Sequence, residues 1–359
     1  MKIRIFLSAI LMTGIACIYF SCNKDSVTPT PVTSYLDLPA NSYDYGFGSS
    51  NDMATLGRVL FYDKHLSVNN SVSCATCHNQ ARAFSDNTAL SIGFENRLTS
   101  RNTPPIENIP SAGFLFWDGR EQFLTSMVLK PIVNHVEMGM SDPNAMVDHI
   151  KNLPYYTDLF TKAFGQGAPD ANKVSRALST FVSSIHSSTS KFDQSLNNQA
   201  TLSGIEMEGK SLFFGKYNCN VCHQTDFASP SGYTTTTGEN VRFVNIGLDI
   251  DYADKGRANF TNDPADIGKF KIPNLRNVAL TAPYMHDGRF TTLDQVLEHY
   301  SHGMVNHPNL DIKLKDANGQ AMQMNISNQE KTAIIAFLNT LTDYSLITDP
   351  KFSDPFKAR

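Results

Sequence analysis

Two pentapeptides of this chain combine a pair of cysteines with a histidine at the same spacing, Cys74-Ala75-Thr76-Cys77-His78 and Cys219-Asn220-Val221-Cys222-His223. Two thiols at this spacing can both form thioether bonds to the vinyl groups of one haem, and the adjacent histidine can then bind the iron. A redox-active dithiol and a zinc site built from both pairs are the alternatives. Neither of them requires a histidine after each second cysteine. The sequence therefore predicts a c-type cytochrome with two covalently bound haems.

The composition is that of a globular protein. The chain has 359 residues, of which 41% are hydrophobic, and a formal net charge of −4. This length is enough for one or two domains with substantial cores. The slight negative charge gives no reason to expect binding to nucleic acid.

The first residues have the pattern of an export signal. Lys2 and Arg4 precede an apolar run over residues 5–20, and Cys22 follows a small residue. This pattern is typical of a bacterial lipoprotein signal over residues 1–22, with Cys22 as the lipidated residue and Cys17 as the weaker alternative. A transmembrane anchor is the other reading, but the run is shorter than the roughly 20 residues that span a bilayer. We therefore expect a periplasmic protein anchored to a membrane through Cys22.

The rest of the chain divides into a spacer and two units. Residues 23–50 are rich in Ser, Thr, Pro and Asn and predict a flexible linker. Residues 51–187 and 201–345 each contain one haem motif, and the polar residues 188–200 are predicted to link them. Apolar spacing of three to four predicts helices over 143–152, 154–164, 172–185, 205–217 and 327–341, the last opened by a capping box at Ser327. Residues 229–269 predict a long loop region. The expected fold is mainly α, with two cytochrome c-like haem domains packed together.

Three blocks of sequence surround the first motif: Leu56 to Asp63 before it, Arg101-Asn102-Thr103-Pro104-Pro105 after it, and Phe116-Trp117-Asp118-Gly119-Arg120 beyond. Together they resemble one family, the bacterial di-haem cytochrome c peroxidases and their relative MauG. The resemblance extends over residues 51–342. It implies a peroxidatic haem in the first domain and an electron-transfer haem in the second.

The resemblance also assigns residues around the first haem. It implies that Glu137 moves the proton when the O–O bond of hydrogen peroxide is split, and His135 is the rival base. It further implies that Trp117, the single tryptophan of the chain, lies between the two haems and relays electrons.

Two positions depart from the family pattern. Phe94 stands where many of these peroxidases have a histidine that binds the resting iron, so the first haem is expected to be five-coordinate. His65 is the nearest other candidate ligand, although a surface role suits it better. Met127 stands where these enzymes commonly have a glutamine, which removes one hydrogen-bond donor from the distal pocket.

The segment from Ile272 to Gly288 resembles the second-domain signature of the same family. By resemblance, the side chain of Asn102 and the backbone carbonyls of Thr281 and Pro283 would hold a calcium ion, with waters completing its oxygen shell. The alternative for Asn102 is that it only shapes a turn before Thr103-Pro104.

Alignment with the family places Tyr300 opposite the second haem, which is the MauG-like pattern; the peroxidases have a methionine there. A phenolate ligand would lower the potential of the haem. Met304, His299 and His302 are the alternative ligands.

The leading hypothesis is a peroxidase that reduces hydrogen peroxide to water with electrons from a small cytochrome c or copper protein. The alternatives are a MauG-like enzyme that oxidises a residue on a partner protein, toward which Phe94 and Tyr300 point, and a plain di-haem electron-transfer cytochrome.

Overall fold

The computed structural model describes residue 36 and residues 51–109, 112–223, 233–234, 236 and 238–356. These described residues all belong to one compact unit. The predicted signal peptide, Cys17 and the lipidation site Cys22 lie outside the described residues, as does all but Leu36 of the predicted linker 23–50.

Helices provide most of the regular structure of the described residues. The α-helices are α1 Asn51–Tyr62, α2 Cys74–Cys77, α3 Leu124–Met127, α4 Lys130–Val133, α5 Pro143–Ile150, α6 Tyr156–Phe164, α7 Ala171–Ser184, α8 Lys191–Leu196, α9 Gly204–Ser211, α10 Ala258–Thr261, α11 Leu293–Glu298, α12 Asn328–Asn339 and α13 Tyr344–Thr348. Two of them continue as π-helical turns, α9 through Leu212–Lys216 and α11 through His299–Gly303.

The strands are short and form separate antiparallel pairs in the described part of the chain. These pairs are β1 Ala112–Leu115 with β2 Glu121–Phe123, β3 Tyr233–Thr234 with β4 Asn240–Val241, and β5 Phe243–Val244 with β6 Phe270–Lys271. The mainly α fold class expected from the sequence is therefore confirmed. Within the described residues, no helix is long and apolar enough to cross a membrane.

A closely packed helix pair organises each haem-motif region. On α1, a Cβ at Gly57 would lie 2.0 Å from the carbonyl oxygen of Ala177 on α7. On α9, a Cβ at Gly209 would lie 1.9 Å from the carbonyl oxygen of Ala333 on α12. Only glycine allows such close approach of two backbones. Each pair places a helix that precedes a C-x-x-C-H motif against a helix that follows it, so the same construction occurs twice.

The helices predicted from apolar spacing are present, as α5, α6, α7, α9 with its π turn, and α12. The capping box is also confirmed, because Ser327 Oγ accepts from the Glu330 N–H and the Glu330 carboxylate accepts from the Ser327 N–H. The predicted linker 188–200 differs from expectation. It contains α8, whose Phe192 is buried and packs on Phe337 of α12. The limits of the two predicted haem domains remain a prediction.

The end of the chain packs on the first motif region. Leu346 and Phe352 belong to the hydrophobic core formed mainly by α1, α6 and α7. The buried Arg58 side chain of α1 donates from Nε to the Ser353 carbonyl over 2.7 Å, and the Tyr62 hydroxyl donates to the Phe352 carbonyl over 2.6 Å. Residues 344–356, the C-terminal segment, therefore complete the core beside the first motif.

Candidate active site and haem pockets

The first motif lies on a single turn of helix that presents its histidine in the form that binds metal. α2 holds both cysteines, and His78 follows directly. His78 Nδ1 lies 2.9 Å from the Phe84 carbonyl oxygen, so it carries the proton and Nε2 is left to bind iron. Burial lowers the pKa of His78, and this keeps the ring neutral.

The second motif repeats this arrangement on a different scaffold. Cys219–Val221 forms a 3-10 turn, and His223 Nδ1 lies 3.1 Å from the Pro273 carbonyl oxygen. Burial lowers the pKa of His223 to about 4. Both histidines are therefore oriented through Nδ1 and neutral, which suits them as axial ligands.

The four motif cysteines are free, partly buried thiols. Burial raises the pKa of Cys74 and Cys219 to about 12, and that of Cys77 and Cys222 to about 11. Thiols that hold their protons this strongly are poor redox nucleophiles, which argues against a reactive dithiol. No group of three or more histidine, cysteine or carboxylate side chains that could hold a metal ion occurs in the described ranges, so the two pairs do not form a zinc site. Thioether attachment fits these residues better.

A cavity of about 710 Å³ opens beside the first motif. Cys74, Cys77 and His78 line it together with Trp117 and Glu137. The structure thus brings the two residues expected to serve the peroxidatic haem into the space that this haem would occupy. His135, the rival base, is exposed and does not line the cavity.

Glu137 has the environment of a proton-transfer group. Burial raises the pKa of this carboxyl group, and the positive charge of Arg120 partly opposes the effect. Asn134 Nδ2 donates to Glu137 Oε1 over 2.9 Å, whereas Oε2 accepts no hydrogen bond from any described residue. One carboxyl oxygen of Glu137 therefore fixes the side chain, and the other is available to a molecule in the cavity.

Neither Phe94 nor His65 lines the cavity. Phe94 is buried, its N–H donates to the Glu137 carbonyl over 2.9 Å, and its ring lies against Gly139. His65 Nδ1 lies 2.7 Å from an oxygen of the buried Asp63 carboxylate. The other position that departs from the family pattern, Met127, does line the cavity, as does Met138.

Trp117 connects the surroundings of the two motifs. Its indole Nε1 donates to the Asn102 carbonyl over 2.8 Å, and its own carbonyl accepts from the Lys271 N–H over 2.7 Å. Lys271 lies two residues before Pro273, whose carbonyl orients His223. Trp117 thus lines the cavity of the first motif. It is also hydrogen-bonded to strand β6, which ends two residues before Pro273, the residue whose carbonyl orients His223.

The π-helical turn after α11 places Tyr300 near the second motif. Burial raises the pKa of Tyr300, and the neighbouring Cys222 and Cys219 raise it further. The rival histidines are engaged elsewhere, since His299 Nε2 lies 2.9 Å from the Ile246 carbonyl oxygen and His302 pairs with Glu298 at the surface over 3.0 Å. Met304 is buried in an apolar cluster that Tyr300 also contacts.

Each of the three residues expected to bind calcium has an oxygen atom that accepts no hydrogen bond from the described residues. Asn102 is buried, and its Nδ2 donates to the Thr88 carbonyl over 3.1 Å, which leaves Oδ1 without a donor among the described residues. The carbonyl oxygens of Thr281 and Pro283 likewise accept no backbone hydrogen bond from the residues described here. This oxygen set fits a hard cation such as calcium.

Sequence reasoning missed two ionisable groups that the fold carries into the interior. Lys271 lines the cavity, and the buried Glu107 lies near Asn277. Nothing adjacent to these residues in the sequence distinguishes them from surface positions.

Comparison with known proteins agrees with this geometry. The sequence pattern described as di-haem cytochrome c peroxidase matches residues 51–201. The methylamine utilization protein MauG of Methylorubrum extorquens is 35% identical over 295 residues, covering 81% of this chain and 78% of that protein. Cytochrome c551 peroxidase of Nitrosomonas europaea is 32% identical over 296 residues, covering 81% and 80%. The crystal structure of a MauG-like protein associated with microbial copper homeostasis superimposes with a TM-score of 0.76 at 35% identity, covering 93% of this chain and 99% of that one.

Proposed function

This chain belongs to the di-haem cytochrome c peroxidase family, and we propose that it reduces hydrogen peroxide to two waters in the periplasm. Two electrons, supplied one at a time by a small cytochrome c or copper protein, and two protons balance the reaction. The observation that carries the proposal is the half-buried Glu137 carboxyl group in the cavity that His78 also lines.

The haems supply the redox chemistry when they are bound, iron at His78 for peroxide and a second iron at His223 for electron storage. Glu137 supplies the proton transfer. Splitting the O–O bond requires a group that takes the proton from one oxygen and delivers it to the other. Burial raises the pKa of this carboxyl group, so it holds a proton more readily than a solvated glutamate does and can pass that proton on. The oxygen left free by Asn134 is the one placed to do so.

We assign electron relay to Trp117 and ligation of the second iron to Tyr300. The hydrogen bonds of Trp117 to the two motif regions support the first role. The position of Tyr300 near Cys219 and Cys222 supports the second, and the engagement of His299 and His302 disfavours the rivals. A tyrosine ligand also favours the second candidate function, oxidation of a residue on a partner protein, which the resemblance to MauG implies.

We further propose calcium at Asn102, Thr281 and Pro283 and a lipid anchor at Cys22. Calcium would join the Arg-Asn-Thr-Pro block to the segment after His223, which the hydrogen bond from the Asn102 N–H to the His286 carbonyl, 2.7 Å long, already holds together. The anchor is supported by the sequence pattern of the first 22 residues.

The test is peroxide turnover by the full-length di-haem protein with a reduced cytochrome c as donor. Glu137→Gln should lower kcat/KM for peroxide by about 10²-fold, the usual share of general acid–base catalysis, without loss of haem. Glu95→Gln is the matched control, because Glu95 is exposed and pairs only with Arg97 in the described structure. Equal turnover in both variants would remove Glu137 from the mechanism.

An EPR spectrum of the oxidised protein separates the three hypotheses further. Because Phe94 cannot bind iron, one high-spin centre is expected beside one low-spin centre. Two low-spin centres would show that another side chain, such as Met127, closes the first site, and would favour a plain electron-transfer cytochrome. A high-spin centre without turnover of any reduced donor would favour oxidation of a partner protein.

A further inference from the structure

The cavity beside the first motif has three cationic side chains in its described lining, and two of them are already neutralised. Arg101 donates to both oxygens of Asp254 over 2.6 and 2.9 Å and to Asp118 over 2.7 Å. Arg120 donates to Asp118 over 2.8 Å. The third cation is Lys271. Its ammonium forms no hydrogen bond or ion pair with any described residue.

The backbone fixes the position of Lys271. It lies on β6, paired with Phe243 of β5, and its N–H donates to the Trp117 carbonyl over 2.7 Å. The side chain is half-buried, and burial lowers the pKa of the ammonium to about 8. A half-buried ammonium without an anion is costly, since taking a charge out of water costs free energy that only a partner returns. Such a residue requires an anionic partner in the space that it lines.

No acidic side chain in the described part of the cavity lining provides that anion. Glu137 lines the same cavity, but its carboxyl group accepts a hydrogen bond from Asn134, and Arg120 is the cation that opposes the rise of its pKa. Asp118 and Asp254 are engaged by the arginines. The haem attached at Cys74 and Cys77 would bring two carboxylates, its propionates, into this cavity.

We propose that the Lys271 ammonium binds a propionate carboxylate of the haem attached at Cys74 and Cys77. This places a fixed positive charge at the edge of that haem and next to the Trp117 backbone. A positive charge there favours the reduced iron, so Lys271 raises the potential of the peroxidatic haem. The proposal depends on haem attachment but not on peroxidase turnover, and the two can fail separately.

Spectroelectrochemical titration of the full-length di-haem protein tests the proposal. Lys271→Met should shift one of the two haems at least about threefold toward the ferric form, which is about 30 mV at 59 mV per tenfold change for one electron. Lys271→Arg should restore the wild-type potential. Lys269→Met is the matched control, because Lys269 lies two residues away but pairs with Asp266 over 3.2 Å outside the cavity. The pyridine haemochrome ratio must remain at two haems per chain in every variant.

Unchanged potentials in Lys271→Met would overturn the proposal. So would a low-spin EPR signal that is lost in Lys271→Met and not restored in Lys271→Arg, because this would make the amine an iron ligand. If Lys271→Met does not retain haem, resonance Raman spectra of the wild type and of Lys271→Arg test the contact between residue 271 and the propionate. The propionate-bending band should differ between ammonium and guanidinium partners, and identical bands would refute the contact.

Discussion

The buried carboxyl group of Glu107 offers the sharpest test of the structure outside the haem sites. The residue is 4% exposed, its Oε1 lies 3.5 Å from Asn277 Nδ2, and its Oε2 has no hydrogen-bond partner among the described residues. Burial raises the pKa of Glu107 to about 7, although Asn277 and Arg276 oppose the shift. The group therefore lies in the folded protein as a neutral acid below neutral pH.

The sign of its effect on stability follows from proton binding. Between its ordinary pKa of 4.5 and about 7, the folded state keeps the proton of Glu107 while the unfolded state has lost it. The free energy of unfolding therefore falls as pH rises through this window and levels off above it. The rise in the pKa of Glu107 from 4.5 to about 7 corresponds to a loss of about 3 kcal/mol in the free energy of unfolding, at 1.36 kcal/mol for each pKa unit.

Glu107→Gln removes this pH-dependent loss of stability, because glutamine is neutral at every pH. At pH 8 the variant should be more stable than the wild type by up to about 3 kcal/mol, which corresponds to about 5 °C in Tm for a chain of this length. Near pH 4.5 the two proteins should melt together. Far-UV circular dichroism melts from pH 4.5 to 8.5 measure the difference, with the exposed Glu208→Gln on α9 as control.

Two results would refute this reasoning. A difference in Tm that does not change with pH would show that Glu107 does not titrate in the folded state. A Glu107→Gln protein less stable than the wild type at pH 8 would show that the carboxylate is charged and is satisfied by contacts with Arg276 stronger than the geometry indicates.

The remaining predictions concern the second haem and the C-terminal segment. Tyr300→Met should raise the midpoint potential of one haem, because a thioether favours ferrous iron more than a phenolate does, and spectroelectrochemistry would measure it; an unaltered potential would point to Met304 as the ligand. Arg58→Met removes two hydrogen bonds to Ser353, from Nε to the carbonyl over 2.7 Å and from Nη2 to Oγ over 3.1 Å. It should cost about 2–3 kcal/mol of stability in denaturant titrations, whereas Arg82→Met at an exposed position should cost little.

The candidate haem attachment residues can be recognised in the sequence because their chemistry is local. Two cysteines and a histidine within five residues are sufficient, and the helices around them follow from apolar spacing and a capping box. Glu137 and Trp117 required the resemblance to a family, since a single glutamate or tryptophan has no sequence neighbours that identify its role.

The other groups depend on contacts between distant segments. Phe192 is the one strongly apolar ring in a polar stretch, and only its packing on Phe337 shows that the stretch belongs to a core. Lys271 acquires its position from a strand pair and from Trp117, which lies 154 positions earlier in the chain. Glu107 acquires its high pKa from burial near Asn277. No local pattern contains this information.

The C-terminal segment has a consequence for the biogenesis of the protein. Phe352 packs edge-to-face on Phe84 with ring centroids 6.1 Å apart, and the Phe84 carbonyl is the group that orients His78. Phe352 thus supports the position of His78, the proposed ligand of the first haem. During synthesis, the first C-x-x-C-H motif emerges nearly 280 residues before Phe352. The first haem site is therefore the later of the two to be completed, and a fragment that ends before Phe352 would lack one wall of it.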